Sequence, residues 1–439
     1  MDRNILKNET NILVVGYGIS GKSVASFLTK KGHNVYVYDD NDALTIPNHV
    51  TYINWNEIDI VVKSPSVHIM PHNRHQIVDD AIFNEKPIYS TFDIFKIYNP
   101  NAKIIGITGT NGKSTTVSLI YNILRTAGIS VKLGGNIGIP YFDTLQYINP
   151  EYYIFEMSSY ELTSSKLLDF EIGGLLNIEP DHLDFHGSFE NYIEAKHKIL
   201  DFSKCKIVSC DDKYTINKYK GKKNVITVSL YKDATADYYV ENNVLVKNDT
   251  AVLDISNLPN LVGKHNAQNV LFAYAVCSKI GVSPEKITHG ITTFDPLPHR
   301  MNVVRKIGDV LFVDDSKATN PTSSAPALAT FTGYKIFWLV GGRSKHIDPM
   351  PYIGKYIDGI EKIYLFGEAT DEFSNIFKSI KTVEVCKTMD AAVRSAYRDA
   401  RNELGATVVL LSPMCASFDQ FKSFEHRGNI FVQLVNELQ

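Results

Sequence analysis

TGTNGKSTT, residues 108–116, decides the reading of this chain. It follows an apolar run, KIIGIT (103–108), and leads into a segment whose apolar residues Val117, Ile120, Tyr121 and Leu124 fall on one helical face until Gly128. A glycine-rich turn between a strand and a helix aims successive backbone N–H groups and the positive end of the helix at one point, which suits phosphate oxygens. Lys113 can then reach terminal phosphates, and the hydroxyl of Ser114 or Thr115 can ligate magnesium. The long P-loop pattern asks for glycine at 107, where Ile107 stands, so the match is to the shorter GxxGK[ST] form. A chance glycine-rich turn is the bland alternative, and the flanking strand and helix argue against it.

A second glycine run lies upstream. NILVV (11–15) breaks into GYGISG, with Gly16, Gly18 and Gly21 in the GxGxxG spacing, and Asp39 follows 18 residues later at the end of VYVYDD. That geometry places a diphosphate on a helix N-terminus and a ribose-like diol near the acid, so a UDP-sugar satisfies it as well as NAD does. A purely structural tight turn is the third option. Strand, turn, helix and strand in this order open a doubly wound sheet, with further strands expected at 58–62 and 87–89 and a first boundary near residue 95, in IYNPNAK.

The phosphate-loop unit continues through the strands YYIFEM and IGGLLNI. Residues 205–256 read as short strands between polar turns, which suggests a small β-rich insertion or layer rather than further βαβ repeats. Helix resumes in HNAQNVLFAYAVCSKIG, and FDPLPHRM places a second boundary near residue 298. A third unit follows, with strands expected at 310–313, 335–340, 362–367 and 407–412 and a helix in AAVRSAYRDARNEL. The expected fold class is therefore α/β in three domains: a Rossmann-like N-terminal domain (1–95), a central P-loop ATPase-like α/β domain with a small β-rich part (96–298) and a C-terminal Rossmann-like α/β domain (299–439).

Composition agrees with this organisation. The 439 residues suit about three domains, and 44% hydrophobic residues with 24 Tyr and 22 Phe allow each an ordinary core, which excludes a disordered chain. Lys and Arg number 45 against 48 Asp and Glu, mixed along the chain, so nucleic acid and acidic membrane surfaces are poor partners. The five cysteines (Cys205, Cys210, Cys277, Cys386, Cys415) form no CxxC pair, which argues against a disulfide framework or zinc knuckle and for a reducing compartment. With no signal peptide and no run of about 18 apolar residues, the expected location is the cytoplasm.

Polar residues just past apolar runs mark the carboxyl ends of strands, where open α/β sheets bind ligands. Glu156 after YYIF and His182 after GLLNIEP could hold magnesium beside phosphates gripped by Lys113. His182 and His186 also look like a metal pair, against which His186 reads as a loop histidine because magnesium favours oxygen. Lys196, in NYIEAKHKIL, reads by itself as a solvated lysine. The third unit repeats the strand-end theme in DDSKATN (Asp315, Lys317, Thr319), GGRSK (Lys345) and SPMCASFDQF (Ser412, Ser417, Phe418).

These motifs, in this order and over nearly the whole chain, resemble the Mur ligases. The resemblance rests on GYGISG, TGTNGKSTT, GGNIG (134–138), EMSSYEL (156–162), NIEPDHLD (177–184), EAKHKI (194–199), GKHNAQN (263–269), LPHRM (297–301), DDSKATN (314–320) and LSPMCASFDQFKSFEHRG (411–428). The last discriminates within the family, since sister ligases share the phosphate loop but not this tail. The resemblance implies ATP-driven amide formation through an acyl phosphate, joining D-glutamate to UDP-N-acetylmuramoyl-L-alanine by a monomer working on small molecules. It implies an ATP loop at Gly109, Thr110, Asn111, Gly112, Lys113, Ser114 and Thr115, with Asn269, Arg300, Asp315 and Lys317 also on the nucleotide. It implies two magnesium sites held by Ser114, Glu156, His182 and Lys196 as a carbamate, so that Lys113, Glu156, His182 and Lys196 form the catalytic set. Ile19, Ser20, Asp39 and Asn136 would hold the UDP-sugar, and Thr319, Lys345, Ser417 and Phe424 the D-glutamate. The chain departs from the family in KSPSVHIM (63–70), where Ser66 replaces the glycine usual after SP, and in the acidic DDND, which lacks the basic residue often found there. A nicotinamide-dependent dehydrogenase would leave the phosphate loop without a task. A folate polyglutamylating ligase would leave residues 1–95 unexplained, and a non-enzymatic nucleotide-binding module would bind ATP without turnover.

Overall fold

The computed structural model describes residues 6, 9–41, 47–145, 149–233, 235–256, 258, 261, 264–295 and 298–439, without the side chains of 264 and 265. Gly263 of GKHNAQN, Leu297 of LPHRM and Asp42 of DDND lie outside the described residues. Among the described residues three sheets form, with helices in the crossovers. Two compact units are separable: Met1–Leu258 with Asn266–Phe294, and Pro259–His265 with Asp295–Gln439.

The first unit contains two sheets. Strands β1 (Asn11–Val15), β2 (Asn34–Tyr38), β3 (Ile60–Lys63) and β4 (Ile88–Ser90) pair in parallel in the order β2-β1-β3-β4. Their near-continuous apolar runs follow from this, because helices cover both faces of a parallel sheet. The second sheet contains β5 (Ile104–Thr108), β6 (Val131–Gly135), β7 (Tyr152–Glu156), β8 (Phe170–Leu175), β9 (Ser203–Ser209), β10 (Val225–Ser229), β11 (Tyr238–Glu241), β12 (Val244–Lys247) and β13 (Thr250–Asp254). Their order is β13-β12-β11-β10-β9-β8-β5-β7-β6. β5 lies between β7 and β8, with Ile107 level with Glu156 and Thr108 level with Leu175. Three adjacent parallel strands therefore deliver their following loops to one edge.

The β-rich stretch differs from the sequence expectation. β9, the helix Lys213–Tyr219 and β10 form a further parallel crossover, and β11 is parallel to β10; β12 pairs antiparallel with both β11 and β13. The intervening helix is only 7 residues long and carries Lys213 and Lys218, so its apolar periodicity was too short to read.

Aromatic packing joins the two sheets of the first unit. The helix Thr91–Tyr98 buries Phe92 and Phe95. Phe92 packs against Tyr141 and Phe170 at ring-centroid distances of 5.5 and 5.7 Å, and Phe95 against Phe155 at 5.2 Å. Such pairs add about 0.5–1.5 kcal/mol each beyond the area they bury. The same helix buries the Asp93 carboxylate, which accepts from the backbone N–H groups of Ser90, Lys166 and Leu167 at 2.8–2.9 Å and so ties the sheets by polar contacts too.

The second unit has one sheet, β14 (Asn302–Ile307), β15 (Val310–Asp314), β16 (Lys335–Gly341), β17 (Ile360–Phe366), β18 (Thr382–Lys387) and β19 (Thr407–Leu411), in the order β14-β15-β19-β16-β17-β18. β14 pairs antiparallel with β15 and all other pairs are parallel. The four expected strands are the inner ones. β14 and β18 carry no clear sequence signal because edge strands bury little and mix charge with apolar residues, as in NVVRKI and TVEVCK. Among the described residues no helix is long and apolar enough to cross a membrane.

Lys63 ends β3 in a setting unusual for lysine, 1% exposed, with its ammonium donating to Val67 O at 2.9 Å and Ser64 O at 3.1 Å. Burial pulls its pKa down to about 7 against the attraction of Glu161 and Asp93. The folded pKa thus lies below the unfolded value of about 10.4, so above about pH 7 the unfolded chain binds the extra proton and stability rises with pH. The unfolding free energy of the parent minus that of Lys63→Met, measured by urea titration, should therefore rise between about pH 7 and pH 10. A flat or falling difference would show that Lys63 titrates as an ordinary lysine.

Candidate active site

The loop 109–112 leaves β5 and turns into the helix Lys113–Thr126. Gly112 has φ +83°, and a Cβ there would collide with Asn269 Oδ1, so both backbone conformation and space require glycine. The loop rests on the segment after β8: Thr110 N–H donates to Asn177 O and Asn111 N–H to Asn177 Oδ1, both at 2.9 Å. Thr110 Oγ1 lies 3.0 Å from Tyr192 OH. Asn269 reaches the same helix start, accepting from Thr116 Oγ1 at 3.1 Å. Thr115 is half-buried beside it.

Two lysines meet below the loop. Lys113 Nζ donates to Gly109 O and Thr110 O at 2.8 and 2.7 Å, and Lys196 Nζ also donates to Gly109 O at 2.8 Å. Lys196 is 2% exposed, with its ammonium 4.8 Å from the Tyr192 ring centre, which overturns the solvated reading of its helix. Burial, then the charge of Lys113, pushes its pKa well below the ordinary lysine range. A side chain normally cationic at neutral pH is thus biased toward its neutral, nucleophilic form.

Glu156, 2% exposed at the end of β7, accepts from Ser114 Oγ at 2.5 Å and from Asn136 Nδ2 at 3.0 Å. His182 has φ +53°, accommodated where the chain enters the short helix Leu183–His186, and its Nδ1 lies 2.8 Å from Tyr160 OH. His186 is not a loop histidine: it is fully buried, its Nε2 lies 3.0 Å from Ser159 Oγ, and burial pushes its pKa down to about 4. Among the described residues no group of three His, Cys, Asp or Glu side chains could hold a metal ion. The Ser114 hydroxyl and Glu156 carboxylate nonetheless fit magnesium, which takes oxygen ligands and usually completes its shell with substrate phosphates and water.

A cavity of about 240 Å³ in the same unit is lined by Gly18, Ile19 and Ser20, by Ser64, Pro65 and Ser66, and by Gly135, Asn136, Pro140, Tyr141 and Glu161. It brings GYGISG, KSPS and GGNIG together, with Asn136 joining this cavity to Glu156. Of the four residues expected on a UDP-sugar, Ile19, Ser20 and Asn136 line it and Asp39 does not. Asp39 instead accepts the Tyr17 N–H at 2.6 Å, bracing the glycine turn. Ser66, the departure from the family pattern, is part of the lining.

In the second unit Asp315, Lys317 and Thr319 follow β15, Lys345 follows β16 and Ser417 follows β19, whereas Arg300 precedes β14 and Phe424 begins the helix Phe424–Glu437. Asp315 is 7% exposed, accepts from Ser412 Oγ at 2.8 Å, and is raised to about 7 by burial. Lys317 lies 3.9 Å from the centre of the Phe424 ring, Ser417 is buried, Thr319 is half-buried and Lys345 is exposed. Arg300 N–H donates to Asn302 Oδ1 at 2.8 Å. Sequence reasoning missed Asn177, Tyr160 and Tyr192, although Asn177 stands just past a strand like the residues that were chosen.

Residues 107–277 match the model of the Mur ligase middle domain, and residues 299–415 that of the Mur ligase, glutamate ligase domain. The chain belongs to the Mur ligase family. Among its relatives, the UDP-N-acetylmuramoylalanine--D-glutamate ligase of Wolbachia pipientis wMel is 34% identical over 100% of this chain and 98% of its own length. The protein of that name from Chelativorans sp. (strain BNC1) is 35% identical over 97% and 95%. Among solved structures, UDP-N-acetylmuramate-alanine ligase MurC from Thermotoga maritima aligns with a TM-score of 0.62 at 18% identity, covering 98% of this chain and 99% of that one. MurF ligase from Thermotoga maritima in complex with ADP gives 0.60 at 17%, covering 98% and 96%. These two likenesses establish the three-domain Mur ligase fold. Mur ligases are ATP-dependent and form amide bonds, and this chain is an enzyme of that class.

Gly112→Ala should weaken ATP binding by at least about tenfold, roughly 1.4 kcal/mol, because the added carbon both disfavours φ +83° and displaces Asn269. Calorimetric titration checks this. An ATP affinity within about twofold of the parent would show that the phosphate loop does not need this backbone shape.

Proposed function

We propose that this Mur ligase joins D-glutamate to UDP-N-acetylmuramoyl-L-alanine. The observation that carries the reading is a contrast in likeness. Relatives named for D-glutamate addition match the chain at 34–35% identity end to end, whereas the solved MurC and MurF match at 17–18% over the same span. The tail 411–428 runs from the end of β19 through the following loop into the start of the helix Phe424–Glu437 in the second unit.

A carboxylate does not react with an amine at neutral pH because oxide is a hopeless leaving group. In the proposed reaction a carboxylate oxygen of the L-alanine residue forms a bond to the γ-phosphorus of ATP while the β–γ bridging P–O bond breaks and ADP leaves. The amine of D-glutamate then attacks the acyl carbon, the nitrogen sheds a proton, and the C–O bond to phosphate breaks.

The cavity beside GYGISG holds the UDP-sugar through Ile19, Ser20 and Asn136, and Asn136 orients the Glu156 carboxylate. The N–H groups of 109–115 cradle the phosphates, and Lys113 exchanges its loop carbonyls for phosphate oxygens, neutralising charge as it develops. Asn269 holds the start of the phosphate-loop helix. Magnesium, held by Ser114 and Glu156 at one site and by His182 and a carbamylated Lys196 at a second, would supply Lewis-acid stabilisation of the transferring phosphoryl group. Carbamylation needs a neutral amine, and the depressed pKa of Lys196 supports it. Arg300, Asp315 and Lys317 serve the nucleotide, and Thr319, Lys345, Ser417 and Phe424 form the D-glutamate pocket. The reading includes a cytoplasmic monomer acting on small molecules alone.

ADP should appear only when ATP, magnesium, UDP-N-acetylmuramoyl-L-alanine and D-glutamate are all present, and L-glutamate should not replace the D-isomer. Equal turnover with L-alanine or meso-diaminopimelate as the incoming amine would assign the chain to a sister activity.

Each carboxylate of D-glutamate must exchange water for charge-assisted hydrogen bonds. Lys345→Ala should therefore raise the KM for D-glutamate at least about tenfold, roughly 1.4 kcal/mol, and leave that for the UDP-sugar nearly unchanged. The reverse pattern in steady-state kinetics would place the amino-acid pocket elsewhere.

A further inference from the structure

In the second unit the adjacent parallel strands β15, β19 and β16 send three loops from their carboxyl ends, and one guanidinium touches all three. Arg427, in the first turn of the helix Phe424–Glu437, is 0% exposed. Its Nε donates to Ser316 Oγ at 2.9 Å and its Nη2 to Ser316 O at 2.8 Å, both on the loop after β15. Nη2 also donates to Cys415 O at 3.0 Å, after β19, and Nη1 to Gly341 O at 3.3 Å, at the end of β16. Ser316 Oγ in turn donates to Phe424 O at 2.9 Å, returning the network to Arg427's own helix.

Every acceptor in this set is a hydroxyl or a carbonyl. Burial lowers the guanidinium pKa only to about 10, so it remains charged at neutral pH. A buried charge satisfied by neutral groups is a costly substitute for an apolar side chain of similar volume. What it offers is a rigid planar fork whose donors leave in fixed directions, so that one residue ties the loop after β15 to those after β16 and β19, which Arg343 and Ala416 also bridge through their backbones. Packing around the fork is close: a Cβ on Gly342 would come 3.0 Å from Nη1. The loops after β15, β19 and β16 carry Thr319, Ser417 and Lys345 respectively, and Phe424, which supports Lys317, begins the arginine's helix.

We propose that Arg427 is a positioning residue for amino-acid selection, fixing the spacing of Thr319, Lys345 and Ser417 without touching the substrate. This rests on the reading of those loops as the D-glutamate pocket. The arginine acts through the loop backbones, so its loss should be felt by the incoming amino acid and not by the nucleotide sugar bound in the other unit.

The test uses full-length Arg427→Met and Arg427→Lys, with circular dichroism to establish folding and steady-state kinetics in each substrate. The methionine variant fills the volume and removes the fork, and should raise the KM for D-glutamate at least about tenfold while that for UDP-N-acetylmuramoyl-L-alanine stays within about twofold. Lysine keeps the charge and some donors and should fall between methionine and the parent. A folded methionine variant with the parental KM for D-glutamate overturns the proposal, and so does equal weakening for both substrates. If the methionine variant does not fold, the lysine variant decides on the same criterion. A parent enzyme that ignores D-glutamate overturns the substrate reading instead, before any variant is made.

Discussion

Two lysine ammonium groups donate to one carbonyl oxygen, Gly109 O, and much of the first unit serves to arrange that crowding. Like charges so placed repel, and burial makes the repulsion stronger by removing water. The carboxylates of Asp181 and Glu156 offset part of this repulsion at Lys196. Burial first, and the charge of Lys113 second, depress the pKa of Lys196. The same burial biases Lys196 toward its neutral amine.

The crowding is possible because β5 lies between β7 and β8. Parallel pairing in that order brings the phosphate loop, Glu156 and the Asn177–His182 segment to one edge, where backbone groups of one loop satisfy those of the next. The aromatic contacts of Phe92 and Phe95 then hold the second sheet against the first, so that a cavity opens between the GYGISG turn and Asn136. Asn136 links this cavity and Glu156 through a single amide.

Much of this was legible in the chain. Local signals were strong wherever a buried parallel strand ended in a glycine turn, because an apolar run followed by glycine survives any tertiary context. The phosphate loop, the GYGISG turn, Glu156 and the inner strands of the third sheet were found this way. Signals fail where burial is partial or the element short: β14 and β18 at a sheet edge, and the helix Lys213–Tyr219, whose crossover reads in sequence as part of a β-rich insertion. Asp39 was placed correctly at a strand end, but it bonds the glycine turn instead of lining the cavity.

The sequence by itself determined the α/β class, the phosphate loop and the strand-end positions of most site residues, since these depend on periodicity and turn chemistry within a few residues. Only the tertiary structure decided which polar side chains are buried and what they meet. Lys63, Lys196, His186 and Arg427 are ordinary polar residues in the chain, and each becomes distinctive because segments distant in sequence close around it. The desolvation that shifts Lys196, and the three carbonyl-bearing loops that gather on Arg427, are properties of packed neighbours. No spacing of residues along one strand or helix encodes them.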